Sequence, residues 1–294
     1  MVRQYKIHTN LDGSDNEIID LTNGKIRLYQ PSDLGIVTNT NIWSSQGLGV
    51  FGDTAISHPS MDFRLETFGD DLKENYNLMN EFVSKILAQK YVTLEYTTEL
   101  GTYYADVKLA KVTKTEGYGA DGTFSETISF DVINKWYTYE QLTFSKFKNA
   151  DFSNKTKIYT NSRYTYTDNT YLYTTEDNIE RFSKWKIEEN VFSFVARLTP
   201  SNSDVKKYGV RFLDEQANEY TSIIFNMANK PDYIQLNTDV NDEYYQTVTN
   251  GIAVNMFSAL DFQKFRTRVF KKGTMELVNL DSVEMNIKRK VDFV

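Results

Sequence analysis

Helical periodicity is convincing only once in this chain, and almost everything around it is cut into short runs by Gly, Asn, Asp and Ser. A chain patterned this way buries its apolar faces by layering sheets, with one helix packed on them. The helix is expected at about Leu72 to Gln89, where Leu72, Tyr76, Met79, Phe82, Val83, Ile86 and Leu87 recur at three- and four-residue spacing. Asp71 can cap its first turn, with Glu74 as the capping-box partner. Lys73, Asn77, Asn80, Glu81, Lys85 and Gln89 form the opposite, polar face.

Strands are read from period-two alternation. Asn23-Gly24 between Ile19/Leu21 and Ile26/Leu28 predicts a hairpin, because Asn-Gly readily takes the positive φ values of a type I′ turn. Residues from Pro31 to Phe51, rich in Ser, Asn, Thr and Gly, read as a long irregular loop. Strands are expected at Tyr91 to Thr97, Tyr103 to Val112 and Phe124 to Ile133, completing a first domain. Lys135 to Glu140 and the polar stretch to Lys157 read as passage into a second. There, short strands at Phe192 to Leu198, Gly209 to Leu213, Tyr220 to Asn226 and Tyr233 to Leu236, and a hairpin from Arg266 to Phe270 and Met275 to Leu280, indicate a sandwich. The end alternates Val283, Met285, Ile287, Val291 and Phe293, as a closing strand does.

At 294 residues, two domains of ordinary size are natural. The formal charge of -7, from 33 basic and 40 acidic residues, argues against tight binding to nucleic acid or anionic membranes by counterion release. The absence of cysteine excludes disulfides, thiolate nucleophiles and Cys-ligated zinc together. The first residues lack the apolar core of a signal peptide, and no run approaches the roughly 20 apolar residues that span a bilayer. A soluble product is expected.

Motif candidates are weak in context. Gly47-Leu-Gly49-Val-Phe-Gly52 has dinucleotide-fingerprint spacing, but Pro59 and β-branched residues oppose the helix that must follow, so a flexible glycine loop is expected. Asn237, Asp239, Asn241 and Glu243 place oxygens at alternate positions, as a calcium loop begins. Asp242 and Val248 stand where the sharp-turn glycine and bidentate glutamate belong, so an acidic surface loop is the default. Only His8 and His58 could supply imidazole chemistry, and neither has a supporting signature. Asp70/Asp71 and Glu188/Glu189 read as a helix N-terminus and a solvated face. No enzyme and no cofactor are expected.

The aromatic fraction of 14% is high, and Tyr159, Tyr164, Tyr166, Tyr171 and Tyr173 cluster among Thr and Asn. Tyrosine combines broad apolar area with a polar tip, which suits protein interfaces and sugar stacking alike. A strand pair with its tyrosines half buried is the plainer alternative.

Taken in order, the segments Met1 to Gly13, Asn23-Gly24-Lys25 through Tyr29-Gln-Pro31, Lys114 to Gly119, Gly122 to Glu126 and Lys135 to Glu140 resemble the distal tail proteins (Dit) of lactococcal siphophages. So do Gly209 to Asp214, Asn218 to Thr221, Asn237 to Glu243, Arg266-Thr-Arg268 and Ile287 to Lys290. None is a chemical motif; the extent and order of the match make it specific. The resemblance implies a mainly β fold with an N-terminal ring-forming domain, residues 1–134 plus 281–294, and a C-terminal galectin-like β-sandwich, residues 135–280. It implies an arm extension on the outer domain, placed within 145–185 where the pattern departs most and the tyrosines concentrate.

By the same resemblance the protein is a structural virion component at the tail tip, assembled in the bacterial cytoplasm. It would form a hexameric ring that meets the tail tube protein above and the tail-associated protein below. The arm would hold receptor-binding protein trimers, and DNA would pass through the channel without membrane insertion of the hub. The competing reading is a carbohydrate-binding module that contacts host saccharide directly, which fold analogy alone supports weakly.

Overall fold

The structure, a computed structural model, describes residues 3–13, 15–116, 122–145, 179–182, 191–201, 206–216, 218–266 and 273–294. The chain divides into two compact units, Met1–Thr138 with Lys290–Val294, and Tyr139–Arg289. Both are mainly β.

The first unit contains β1 (Gln4–His8), β2 (Ile18–Asp20), β3 (Ile26–Ser32), β4 (Val37–Ser45), β5 (Leu48–Ser57) and β6 (Met61–Thr67). These are followed by α1 (Leu72–Ala88), β7 (Val92–Thr97), β8 (Thr102–Val112), β9 (Ser125–Val132) and the start of β10 (Trp136–Ser145). All its pairings are antiparallel, in the series β2-β1-β7-β8-β9-β6-β3. β8 is long enough for two jobs: Thr102–Val107 pairs with β7, while Val107–Val112 pairs with β9. The alternate inward residues Met61, Phe63 and Leu65 of β6 join Ile7, Leu94, Val107, Ile128, Phe130 and Trp136 in one core.

Helix α1 starts where expected. The Asp71 carboxylate accepts from the Glu74 N–H at 2.7 Å, and Glu74 in turn accepts from the Asp70 N–H at 2.6 Å. Its buried face is narrower than the spacing suggested. Phe82 and Ile86 are buried, but Leu72, Tyr76 and Leu87 are about half exposed, at 55%, 49% and 56%. Buried Asn75 takes part of the expected apolar stripe; its amide nitrogen donates to the Gly69 and Asp71 carbonyls, and its amide oxygen accepts from the Gly69 N–H just ahead of the helix.

Two turn expectations are corrected. Asn23-Gly24 is not a type I′ hairpin, since neither residue has a positive φ and β2 pairs with β1 rather than β3. Asp20 organises this turn instead, accepting from the N–H groups of Thr22 and Asn23. Gly24 is needed because a Cβ there would lie 2.4 Å from the Asp20 carbonyl oxygen. The supposed loop from Pro31 onward contains β4 and β5, joined by Gln46-Gly47 with φ of 50° and 80°, the true type I′ turn of this region. The glycine-spaced run therefore lies in a β-hairpin, neither a phosphate cradle nor a flexible loop.

The second unit comprises the rest of β10, β11 (Ile179–Phe182), β12 (Val191–Pro200), β13 (Lys207–Asp214), β14 (Glu219–Asn226), β15 (Tyr233–Asn237), β16 (Tyr244–Thr249), β17 (Ile252–Asn255), β18 (Gly273–Val278) and β19 (Leu280–Val291). One sheet runs β17-β16-β15-β12-β19 and another β11-β18-β13-β14. Phe194, Leu198, Ile234, Leu236, Val283 and Met285 from the first meet Val210, Phe212, Ile223, Phe225, Met275 and Leu277 from the second in one core. This is the expected sandwich. A missed hairpin joins β16 to β17 through Asn250-Gly251, both at positive φ. Of the expected 266–280 hairpin, residues 267–272 lie outside the described residues.

The closing strand is shared differently from the expectation. The expectation gives residues 281–294 whole to the first domain, but β19 pairs with β12 from Leu280 to Arg289, and its Val283, Met285 and Ile287 enter the second core. Only Lys290–Val294 belong with the first unit. The alternation is the same either way, so period alone could not choose the partner. Among the described residues no helix is long and apolar enough to cross a membrane.

Candidate interaction surfaces

Tyr159, Tyr164, Tyr166, Tyr171 and Tyr173, the expected arm within 145–185 except for Ser145 and Ile179–Phe182, and the Glu188/Glu189 pair lie outside the described residues. The other sequence candidates can be placed.

His8 is buried at the end of β1. Its Nε2 stands 2.6 Å from Glu95 Oε2 and its Nδ1 3.0 Å from Asn16 Nδ2. The Asn16 amide donates to Nδ1, so the neutral ring donates from Nε2 to the carboxylate. Lys6 holds the other oxygen of Glu95 at 2.9 Å. The His8 hydrogen bond, joined by Lys6 and opposed by burial, holds the Glu95 carboxyl down at about 2. Burial, then the Glu95 charge, raises the neighbouring Tyr104 phenol. A histidine–carboxylate pair can serve catalysis when one ring nitrogen faces a substrate. Here both nitrogens are engaged, so the cluster ties β1 to β7. His58 is half-buried and its Nδ1 is 3.0 Å from the Gly35 carbonyl oxygen.

The Asn237–Glu243 segment is a surface loop only in its second half, where Val240 and Glu243 are exposed. Asn237, Thr238 and Asp239 are buried. Asn237 Oδ1 accepts from the Asp239 N–H, and Asp239 Oδ1 accepts from the Asn241 N–H. Asp239 Oδ2 lies 3.0 Å from Lys288 Nζ, with both side chains almost wholly buried. Oxygens that could have faced a cation are thus directed at backbone amides and an ammonium. Among the described residues no group of three or more His, Asp or Glu could hold a metal.

Among the described residues the β4–β5 hairpin pairs only with itself and gathers several exposed apolar side chains. Ile42 (66%), Trp43 (65%), Leu48 (72%), Val50 (52%) and Phe51 (72%) are exposed. Register pairs Trp43 with Val50 and Ser45 with Leu48 on one face, and Ile42 with Phe51 on the other. Both faces near the tip are therefore apolar. A two-stranded ribbon is marginal alone, and clustered exposed apolar groups mark contact sites. Sequence reading missed it by treating 31–51 as irregular. The usable signal was Gly47 flanked by β-branched and aromatic residues, obscured because Gln46 is not a typical turn residue.

A cleft of about 230 Å³ lies along α1, with Tyr76, Met79, Val83, Val112 and Phe124 apolar and Asn80, Thr113, Lys114 and Glu126 polar. Lys114 Nζ lies 4.7 Å from the Tyr76 ring centre and donates to its hydroxyl at 3.0 Å. Glu126 is raised by burial but lowered more by hydrogen bonds from Thr113 and Thr115, leaving its carboxyl below the ordinary value. It is charged and tied to the β8 end.

Comparison with known proteins covers the whole chain. The family models for the distal tail protein N-terminal domain and the Dit C-terminal domain match residues 4–133 and 135–294. The distal tail proteins of Lactococcus phage SK1 and Lactococcus phage p2 are each 54% identical to it, over 100% of both chains. Among solved structures, a chain of the phage p2 baseplate in its activated conformation with Ca matches at a TM-score of 0.83 and 50% identity, over 100% of both chains. SPP1 Dit, described as a paradigm of hub adsorption apparatus in Gram-positive infecting phages, matches at 0.54 and 13% identity, over 99% of this chain and 100% of that one. That similarity is one of fold.

Proposed function

Because the chain belongs to the distal tail protein family, we propose that it is a structural component of a phage baseplate, building a hexameric ring hub at the distal end of the tail tube. The observation that carries this reading is the β4–β5 hairpin, whose two apolar faces near the tip are exposed within the protomer. A segment of this kind is completed by another chain, and a contact between two different patches of one protein closes into a ring when its rotation permits.

In this reading the hub joins the tail tube protein to the tail-associated protein and carries receptor-binding protein trimers on the arm within 145–185. Tyr159, Tyr164, Tyr166, Tyr171 and Tyr173 are the contact residues. The work is done by surfaces and symmetry, without catalysis. The net acidic chain suits a channel that passes DNA without retaining it.

Negative-stain electron microscopy of the purified protein tests the reading. Six-fold rings are expected at micromolar concentration, alone or with tail partners. A strictly monomeric protein in both conditions overturns it. Alanine substitutions at the five tyrosines should abolish capture of receptor-binding trimers and leave the rings intact. A glycan array giving strong binding that these substitutions remove would instead favour direct saccharide recognition.

A further inference from the structure

We propose that Asn250 is a site of spontaneous deamidation, a hydrolytic modification that this fold permits at one of its two Asn-Gly pairs and withholds from the other, and that the modification releases β17 from its sheet. The inference is independent of the hub reading.

Both Asn-Gly pairs stand in the same tripeptide, Thr22-Asn23-Gly24 and Thr249-Asn250-Gly251. The chemistry is local. The main-chain nitrogen of the glycine attacks the side-chain Cγ of the asparagine. The new N–Cγ bond closes a five-membered imide, the Cγ–Nδ2 bond breaks, and the glycine's amide proton leaves with the side-chain nitrogen as ammonia. Water, the sole co-reactant, then opens the imide at either carbonyl, leaving aspartate or its β-linked isomer. Glycine favours the attack because no side chain shields its nitrogen and its backbone turns freely. With the reacting tripeptide shared, the fold decides between the two sites.

Three features separate them. The first is the cost of opening. The attack needs a rotation of the asparagine main chain that a closed turn resists, so the rate follows the free energy of local opening. Asn23 lies between Leu21 and Ile26, 0% and 8% exposed, both in the core of the first unit, and opening there withdraws core side chains. Asn250 leads into β17, whose four residues are all exposed and which, among the described residues, pairs only with β16 at the end of its sheet. Peeling β17 back uncovers little apolar surface. The second is space. A Cβ on Gly24 would crowd the Asp20 carbonyl oxygen at 2.4 Å, whereas nothing lies within 4 Å of one on Gly251. The third is tethering. Asp20 Oδ1 accepts from the Thr22 and Asn23 N–H groups at 2.8 and 3.0 Å, and Arg27 Nε donates to the Gly24 carbonyl at 2.9 Å. Among the described residues the Asn250 turn has one side-chain tie, from its main-chain N–H to Asp232 Oδ2 at 2.7 Å.

Conversion acts on that tie. The product carboxylate adds a negative charge beside Asp232. The β-linked isomer also adds a methylene to the main chain of a two-residue turn, which then no longer holds Thr249 in register with Ile252. β17 leaves β16, and the hydrogen-bonding groups along β16 meet water.

The full-length protein is aged in warm, mildly alkaline buffer made with heavy-oxygen water, and both sites are followed by peptide mass spectrometry. Asn250 should convert at least about tenfold faster than Asn23, and the two rates should converge when the protein is aged in denaturant. Equal rates in the folded protein, or faster conversion at Asn23, would overturn the site, as would conversion of Asn250 in denaturant alone. Asp20→Ala should raise the Asn23 rate toward that of Asn250; an unchanged rate would count against the tethering that protects it. Hydrogen exchange tests the consequence. Amides shared by β16 and β17 should lose protection about tenfold in the aged parent and keep it in aged Asn250→Gly, which suits the positive φ and has no side-chain amide to lose. Equal protection in the two aged proteins would show that β17 stays paired and would overturn its release.

Discussion

At the scale of single residues, two buried charge clusters join segments far apart in the chain. Lys288 and Asp239 come from segments 49 residues apart and are both nearly inaccessible. Lys288→Met should leave Asp239 buried and uncompensated, lowering stability by about 3–5 kcal/mol in chemical denaturation. The double change Lys288→Met with Asp239→Asn should recover much of that loss. A recovery of nothing would mean that packing and not charge explains the effect. Glu95 gives a pH prediction. Its folded value, about 2, lies below the ordinary 4.5, so its contribution is fully present above pH 4.5 and is lost as pH falls from there toward 2. The thermal midpoint of the parent should fall more steeply over that window than that of Glu95→Gln. Equal slopes would show that the His8 and Lys6 contacts do not stabilise the carboxylate.

At the scale of elements, α1 and the β4–β5 hairpin make separable predictions. Asp71→Ala removes an N-cap acceptor and should lower stability by about 1 kcal/mol without altering assembly. Gly47→Val places a β-branched residue at a φ of 80°, which costs about 1–2 kcal/mol locally. Among the described residues the hairpin shares no sheet with the rest of its unit, so the main transition in calorimetry should move little while ring formation fails. A large fall in the main transition would show that the hairpin is part of the cooperative core.

For the whole molecule, the hub reading predicts little affinity for the DNA that passes through it. A gel-shift assay with assembled rings at physiological salt should show no retained duplex, whereas tight, salt-sensitive retention would contradict the acidic balance of 33 against 40 charges. The sequence by itself determined the mainly β class, helix α1 with its Asp71 cap, most of the described strand positions and the family, because period, capping chemistry and segment order are local or collinear properties. It did not decide which strands pair. Asn23-Gly24 looked like a hairpin turn, yet β2 joined β1 and the type I′ turns formed at Gln46-Gly47 and Asn250-Gly251. It did not decide which core receives Val283, Met285 and Ile287, since alternation shows that a strand has an apolar face but not what covers it. Nor did it reveal that Asp239 is matched by Lys288, or His8 by Glu95, across 49 and 87 residues of chain. The exposed hairpin and the α1 cleft likewise exist as surfaces only after folding, when burial has claimed the core side chains and left these uncovered. Those choices are made by the free energy of packing and desolvation, which depends on distances that sequence order does not contain.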